Sequence, residues 1–332
     1  MWDTLAFAGK GVVVFVVFAA CTLLFFARAA RAARGGRPRG RLRVRRINDA
    51  LKRSAETLRR AMMKPKAFKA RQKMLTKAKK SEVRSERNVF VLDFKGDILA
   101  SAVENLRHEI TAICEVASEG DEVVVRLEST GGAVHSYGFA ASQLARIPKR
   151  GLSLTVCVDR VAASGGYMMA CVAQRIVSAP FAILGSIGVA APLPNVHRLL
   201  DRFGIDYEDF TAGEYKRTVS PLAEITPKGR EKFQAQIEEV HGLFKDFVGE
   251  HRPALDIDEV ATGESWLGVR AAELGLVNDL MTSDDYLLSK VSQADIYKVS
   301  LEQPKGMRDR ISSMVSTTAS SLIEAVRERT VL

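Results

Sequence analysis

The chain has 332 residues, enough for one sizeable catalytic domain plus accessory segments. Its formal charge of +10 is unevenly placed: residues 28–87 carry 23 Lys/Arg against four acids, so the rest of the chain is net acidic. The four cysteines (Cys21, Cys114, Cys157 and Cys171) have no CxxC or metal-ligand spacing, which excludes a disulfide framework and a zinc site and leaves them as small apolar residues.

The stretch GVVVFVVFAACTLLFFA, residues 11–27, carries no charge, and with TLAFAG before it reaches membrane-spanning length. Residues 1–28 are therefore expected to be a membrane anchor. A cleaved signal peptide would need a stronger charged start, and the apolar run continues past any small-residue cleavage site. Lipoprotein-type cleavage before Cys21 would leave the apolar TLLFFA at the new terminus. Residues 29–87 form a basic juxtamembrane segment, expected as a lipid-facing helix followed by a linker, with Pro65 breaking the helical pattern. Nine arginines from Arg28 to Arg46 put the body on the cytoplasmic side by the positive-inside bias. The basic run abuts an apolar span and interleaves no aromatic series for base stacking, so no nucleic-acid partner is expected.

From Asn88 the pattern alternates strands and helices. NVFVLDFKGDI reads as a strand, SAVENLRHEITAICEVAS as an amphipathic helix, and EVVVRLES as a second strand ending at TGGAV. HSYGFAASQLARI is the next helix and LSLTVCVD the next strand. RIVSAPFAILGSIGVAAPL supplies short strands broken by glycine, and TPKGREKFQAQIEEVHGLFKDFVGEH is a long helix with Pro near its start. This order predicts an α/β domain over residues 88–300. No GxGxxG follows its first strand, which removes support for a dinucleotide fold. The C-terminal tail, residues 301–332, spaces Ile311, Val315, Thr318, Leu322 and Val326 helically.

The chemistry centres on VDRVAASGGYMMACVA, where Ser164 sits at a strand-to-helix junction. A hydroxyl there can point out of the fold beside unpaired helix N–H groups, as a nucleophile or as an ordinary N-cap. In ESTGGAV, Gly131 and Gly132 lie between a strand end and a helix start, where backbone N–H groups could hold an oxyanion or simply form a tight turn. Gly165 would add an N–H from the other side. None of the five histidines (His108, His135, His197, His241 and His251) sits in a recognisable triad setting, and His108 and His241 fall within amphipathic helices. Lys216, in FTAGEYKRTVSP, is the other type of base available, provided its surroundings strip its charge.

VAASGGYMMA, LGSIGV and GEYKRTVSP, in that order, resemble the signal peptide peptidase family of membrane serine proteases (SppA and SohB types), and ESTGGAV is similar to that family's Ser-Pro-Gly-Gly turn with Thr130 in place of proline. The similarity spans about residues 88–290, and the anchor with its basic collar is most like the SohB branch. The resemblance implies a ClpP/crotonase-like α/β spiral, a Ser164 nucleophile with Lys216 as general base, Ser186 orienting the lysine, and Gly131 as oxyanion donor, joined by Gly165. It implies apolar peptide substrates, contact with membrane lipid, a homo-oligomeric ring, and no metal or organic cofactor. It also implies processing on the outer side of the membrane, against the charge rule. A crotonase-type acyl-CoA enzyme and a catalytically silent membrane scaffold of the same fold are the alternatives.

Overall fold

The computed structural model describes residues 40–80 and 87–302. Leu42–Glu302 forms one compact unit. The expected anchor, the basic residues up to Arg39, residues 81–86, Cys21 and the tail beyond Glu302 lie outside the described residues.

Among the described residues ten strands form two sheets. The larger contains β1 (Arg41–Arg46), β2 (Asn88–Lys95), β3 (Glu122–Glu128), β4 (Ser153–Val158), β6 (Arg175–Ser178), β9 (Asp279–Leu280) and β10 (Asp295–Glu302), in the order β1-β10-β2-β3-β4-β6-β9. From β10 through β9 every neighbouring pair is parallel, with Val91 opposite Val124 and Val125 opposite Val156. The smaller sheet holds β5 (Val161–Ala163), β7 (Ile183–Gly185) and β8 (Ser265–Leu267). A single parallel bridge from Ser129 to Ala162 ties it to the end of β3. The expected α/β class is what the chain adopts.

A parallel sheet is covered on both faces, so its strands are apolar throughout instead of alternating with polar residues. In β2, Phe90, Leu92 and Phe94 enter the main core, and Val89 and Val91 enter a second core on the opposite face. In β3, Val123, Val125 and Leu127 take the first face and Val124 the second. Each such side chain contributes roughly 1.5–3 kcal/mol on burial. Helices α3 (Val103–Val116) and α4 (Val134–Leu144) close the main face, α3 through Leu106, Ile110 and Ile113 at helical spacing. Helix α7 (Ser283–Lys290) covers the second through Tyr286 and Leu287.

The basic segment holds the expected helix, interrupted before Pro65, but differs in having a strand before it and a second helix where a linker was expected. Arg41–Arg46 is a strand beside β10, followed by α1 (Ile47–Met62) and α2 (Pro65–Lys80). Polar side chains and the strand pairing fasten it to the domain. Asn48, 2% exposed, donates to the carbonyls of Val291 and Ala294 and accepts from Ile296 N–H at 2.7 Å, and Arg46 pairs with Asp295. The domain boundary expected after residue 300 falls inside β10, which runs to Glu302. Cys157 and Cys171 are buried, their thiols pushed up to about 12 by desolvation, while Cys114 is half-buried.

Candidate active site

Ser164 lies between β5 and the short helix α5 (Gly165–Ala170), and it is a non-glycine residue at φ 53°, ψ −121°. Holding an L-residue there costs about 1–3 kcal/mol, sustained only where the surroundings fix it. They do: Ser164 N–H donates to Gly185 O at 2.8 Å, while Ala163 N–H donates to Ser129 O at 3.0 Å. The serine is half-buried and lines a cavity of about 670 Å³ with Ile98, Gly132, Ser186, Val189 and His241. A small apolar recess beside it is lined by Val134, Met168, Val240 and Phe244.

The two glycine turns meet at Ser164. A Cβ on Gly131, whose φ is +88°, would stand 2.7 Å from Gly165 N and 2.8 Å from Ser164 Cβ. A Cβ on Gly132 would stand 2.2 Å from the Ile98 carbonyl, and one on Gly165 2.4 Å from the Tyr137 ring. The backbone can approach the nucleophile this closely only because these positions lack side chains. Gly131 N–H, however, already donates to Ser129 Oγ at 3.1 Å. Of the two glycines in that turn, Gly132 is the one that lines the cavity. Ser186 also lines it, at φ 50°, with its N–H donating to Glu264 O at 2.6 Å.

Lys216 is placed differently. It is exposed, in the segment between His197–Arg202 and the long helix α6 (Pro227–His251), and is not among the residues lining the Ser164 cavity. That segment is braced to α6 by Lys228–Glu214 at 2.6 Å and by Lys232 over the Tyr215 ring at 5.1 Å. It carries Phe203 at 71% and Phe210 at 89% exposure. So the structure brings together Ser164, Ser186, Gly131, Gly132 and Gly165, with Lys216 apart from them within one chain.

His241 is the residue that sequence reasoning passed over. It lines the Ser164 cavity, with Nε2 3.2 Å from Ile187 O, and it is the one titratable side chain in that lining. The signal was its spacing. His241 precedes Phe244 and Val248, the two buried residues of α6, by three and seven positions, and so shares their inward face.

Models of two families match: that described as Peptidase family S49 N-terminal over residues 1–144, and Peptidase family S49 over residues 147–296. The chain is 54% identical over 235 residues to a protein of Haemophilus influenzae named probable protease SohB, covering 71% of this chain and 67% of that one. It is 48% identical over 239 residues to the protein of that name from Buchnera aphidicola subsp. Acyrthosiphon pisum, covering 72% and 71%. Among solved structures, ClpP1 from Listeria monocytogenes overlaps with a TM-score of 0.39 at 13% identity, over 59% of this chain and 94% of that one. A strained serine in a cavity floored by glycine turns, on a chain this similar to SohB-named proteins, leads to one assignment: the chain belongs to peptidase family S49 and is a serine peptidase of the SppA/SohB type.

Proposed function

We propose that the chain is a membrane-anchored endopeptidase in which Ser164 attacks the scissile carbonyl of apolar peptides, such as spent signal peptides or damaged membrane proteins. The observation that carries this reading is Ser164 itself, at positive φ beside two glycine turns. Gly132 and Gly165 N–H groups hold the tetrahedral oxyanion, since Gly131 N–H is already engaged. Lys216 takes the proton of Ser164 Oγ and returns it to the leaving amine, with Ser186 orienting it; the acyl-enzyme is then cleaved by water. A lysine acts as a base only when desolvated, and Lys216 is exposed in the single chain. The exposed Phe203 and Phe210 on the same segment support a homo-oligomeric ring in which a second copy covers it.

The recess formed by Met168, Val240 and Phe244 is apolar but only about 20 Å³, room for no more than a small side chain of the substrate. Residues 1–28 supply the anchor in the bacterial inner membrane. Among the described residues no helix is long and apolar enough to cross a membrane. Lipid contact by the basic segment is supported by α1, whose Leu51, Leu58 and Met62 are exposed among Lys52, Arg53, Arg59 and Arg60. The positive-inside bias favours a cytoplasmic body.

The presence of His241 in the cavity supports a second reading, with His241 as the base. Purified full-length protein assayed on a panel of apolar peptides separates the two. Ser164→Ala should abolish cleavage. Lys216→Ala should lower kcat by about 10²–10⁴ and be partly rescued by added primary amines, with His241→Gln within about tenfold of wild type. The opposite ranking would transfer the base to His241, and undiminished cleavage by Ser164→Ala would remove the nucleophile.

A further inference from the structure

Ser129, the residue before Thr130 of the glycine turn, is 2% exposed and stands between the two halves of the site. Its backbone faces the nucleophile. Ser129 N–H donates to Val161 O at 2.9 Å and its carbonyl accepts from Ala163 N–H at 3.0 Å, which fastens the end of β3 to the strand leading into Ser164. Its side chain faces the glycine turn. Gly131 N–H donates to Ser129 Oγ at 3.1 Å, Ser129 Oγ lies 2.5 Å from Tyr137 Oη, and Tyr137 Oη donates to the Asp97 carbonyl at 2.8 Å.

Counting protons fixes the direction of this chain. A carbonyl only accepts, so Tyr137 spends its one proton on Asp97. Ser129 must then donate to Tyr137 Oη, and its remaining lone pair receives Gly131 N–H. Every donor is used once, in one direction, in a region where Tyr137 is fully buried. The packing around the chain leaves no room for substitutes. A Cβ on Gly96 would lie 2.4 Å from Tyr137 Oη and 2.5 Å from Ser129 Oγ, and a Cβ on Gly166 would lie 2.5 Å from Ser129 O. The Tyr137 ring also packs under Gly165, the first residue of the helix that follows Ser164.

We infer that Ser129 and Tyr137 are positioning residues of the peptidase reaction: their hydrogen-bond relay holds the Thr130–Gly131 peptide, and with it the turn that presents Gly132 N–H to the oxyanion formed on attack by Ser164. The inference rests on the Ser164 reading given above. It differs from a role in stability alone, because a relay that only stabilises the fold would lower the melting temperature and leave the folded enzyme's catalytic constants intact.

The test uses the full chain purified in detergent, with Tyr137→Phe, which keeps the ring and its packing, and Ser129→Ala. The expected result is a kcat lower by about 10- to 100-fold with KM within about twofold, somewhat less than the loss of an oxyanion donor outright. Affinity for a peptide boronate, which forms a tetrahedral adduct on serine, should fall by the same factor, while affinity for a product peptide stays at the wild-type value. The double variant should be no worse than the poorer single one, since the two side chains act as one unit. Wild-type kcat and boronate affinity in folded Tyr137→Phe would overturn the inference, whatever the folding of Ser129→Ala.

Hydrogen exchange supplies a readout independent of catalysis. Tyr137→Phe should speed exchange of the Gly131 amide in peptides covering residues 129–133, and unchanged exchange there would overturn the relay. Should the wild-type protein neither cleave peptides nor bind the boronate, the peptidase reading of the site fails and the catalytic half of the inference with it. The exchange rates then decide the structural half.

Discussion

Ser164 is strained and yet held by main-chain bonds on both sides, and that combination is what separates it from an N-cap. An N-cap serine has extended backbone and accepts a bond from the helix's first turn. Ser164 has positive φ and accepts no such bond with its side chain. Sequence reasoning could see the junction but not the dihedral angle, because the strain is imposed by Gly185 and Ser129, brought in from elsewhere in the chain. The neighbouring glycines obey the same logic. Gly165→Ala places a methyl 2.4 Å from the buried Tyr137 ring, which cannot move without breaking its bond to Asp97. We expect a loss of about 1–3 kcal/mol, read as a lower urea midpoint, together with loss of cleavage. A variant as stable and active as wild type would show the contact to be soft.

At the scale of elements, the strands were legible and the connections between distant ones were not. The apolar runs of β2, β3 and β4 announced a sheet covered on two faces. The second cover, α7, and its neighbour β10 come from residues after 280, where no strong pattern stands out. β10 joins by parallel pairing to β2, and the helix by polar contacts across large sequence separations. Glu122 accepts from Lys290 at 2.7 Å, from Tyr286 at 2.5 Å and from Thr155 at 2.7 Å. Burial alone would raise its pKa, but the hydrogen bonds from Lys290, Tyr286 and Thr155 outweigh it and hold the carboxyl below its ordinary 4.5. A folded-state value below the unfolded one gives stability that is present above about pH 4.5 and lost as pH falls through the lower folded value. Urea midpoints should therefore drop below that pH, and Lys290→Met should flatten the drop while lowering the neutral plateau. An acid limb that stays as steep in Lys290→Met would place its origin elsewhere.

Across the whole molecule, the site lies where parallel sheets usually place one, beyond the carboxyl end of a strand: the glycine turn follows β3 directly. The groove at the opposite end, about 630 Å³ and lined by Glu122, Tyr286 and Lys290, holds polar groups that satisfy one another. The segment around Lys216 is exposed in the single chain. If a second copy covers it, light scattering with detergent mass subtracted should give a multiple of 36.4 kDa. Replacing Phe203 and Phe210 with serine should then yield monomers that have lost most of their kcat. A fully active monomer would show that the lysine, or His241, reaches Ser164 without a partner.

What the sequence by itself determined was local and periodic: the apolar strands, the long helix behind Pro227, the glycine turns and the serine at its junction. These depend on residues near one another along the chain, whose conformational preferences are set within a few positions. Tertiary structure alone decided that Arg41–Arg46 is a strand, that Gly131 N–H is engaged by Ser129, and that His241 lines the cavity of Ser164. Each of those depends on a partner reached through the fold, and no spacing within one segment encodes which distant group will be there.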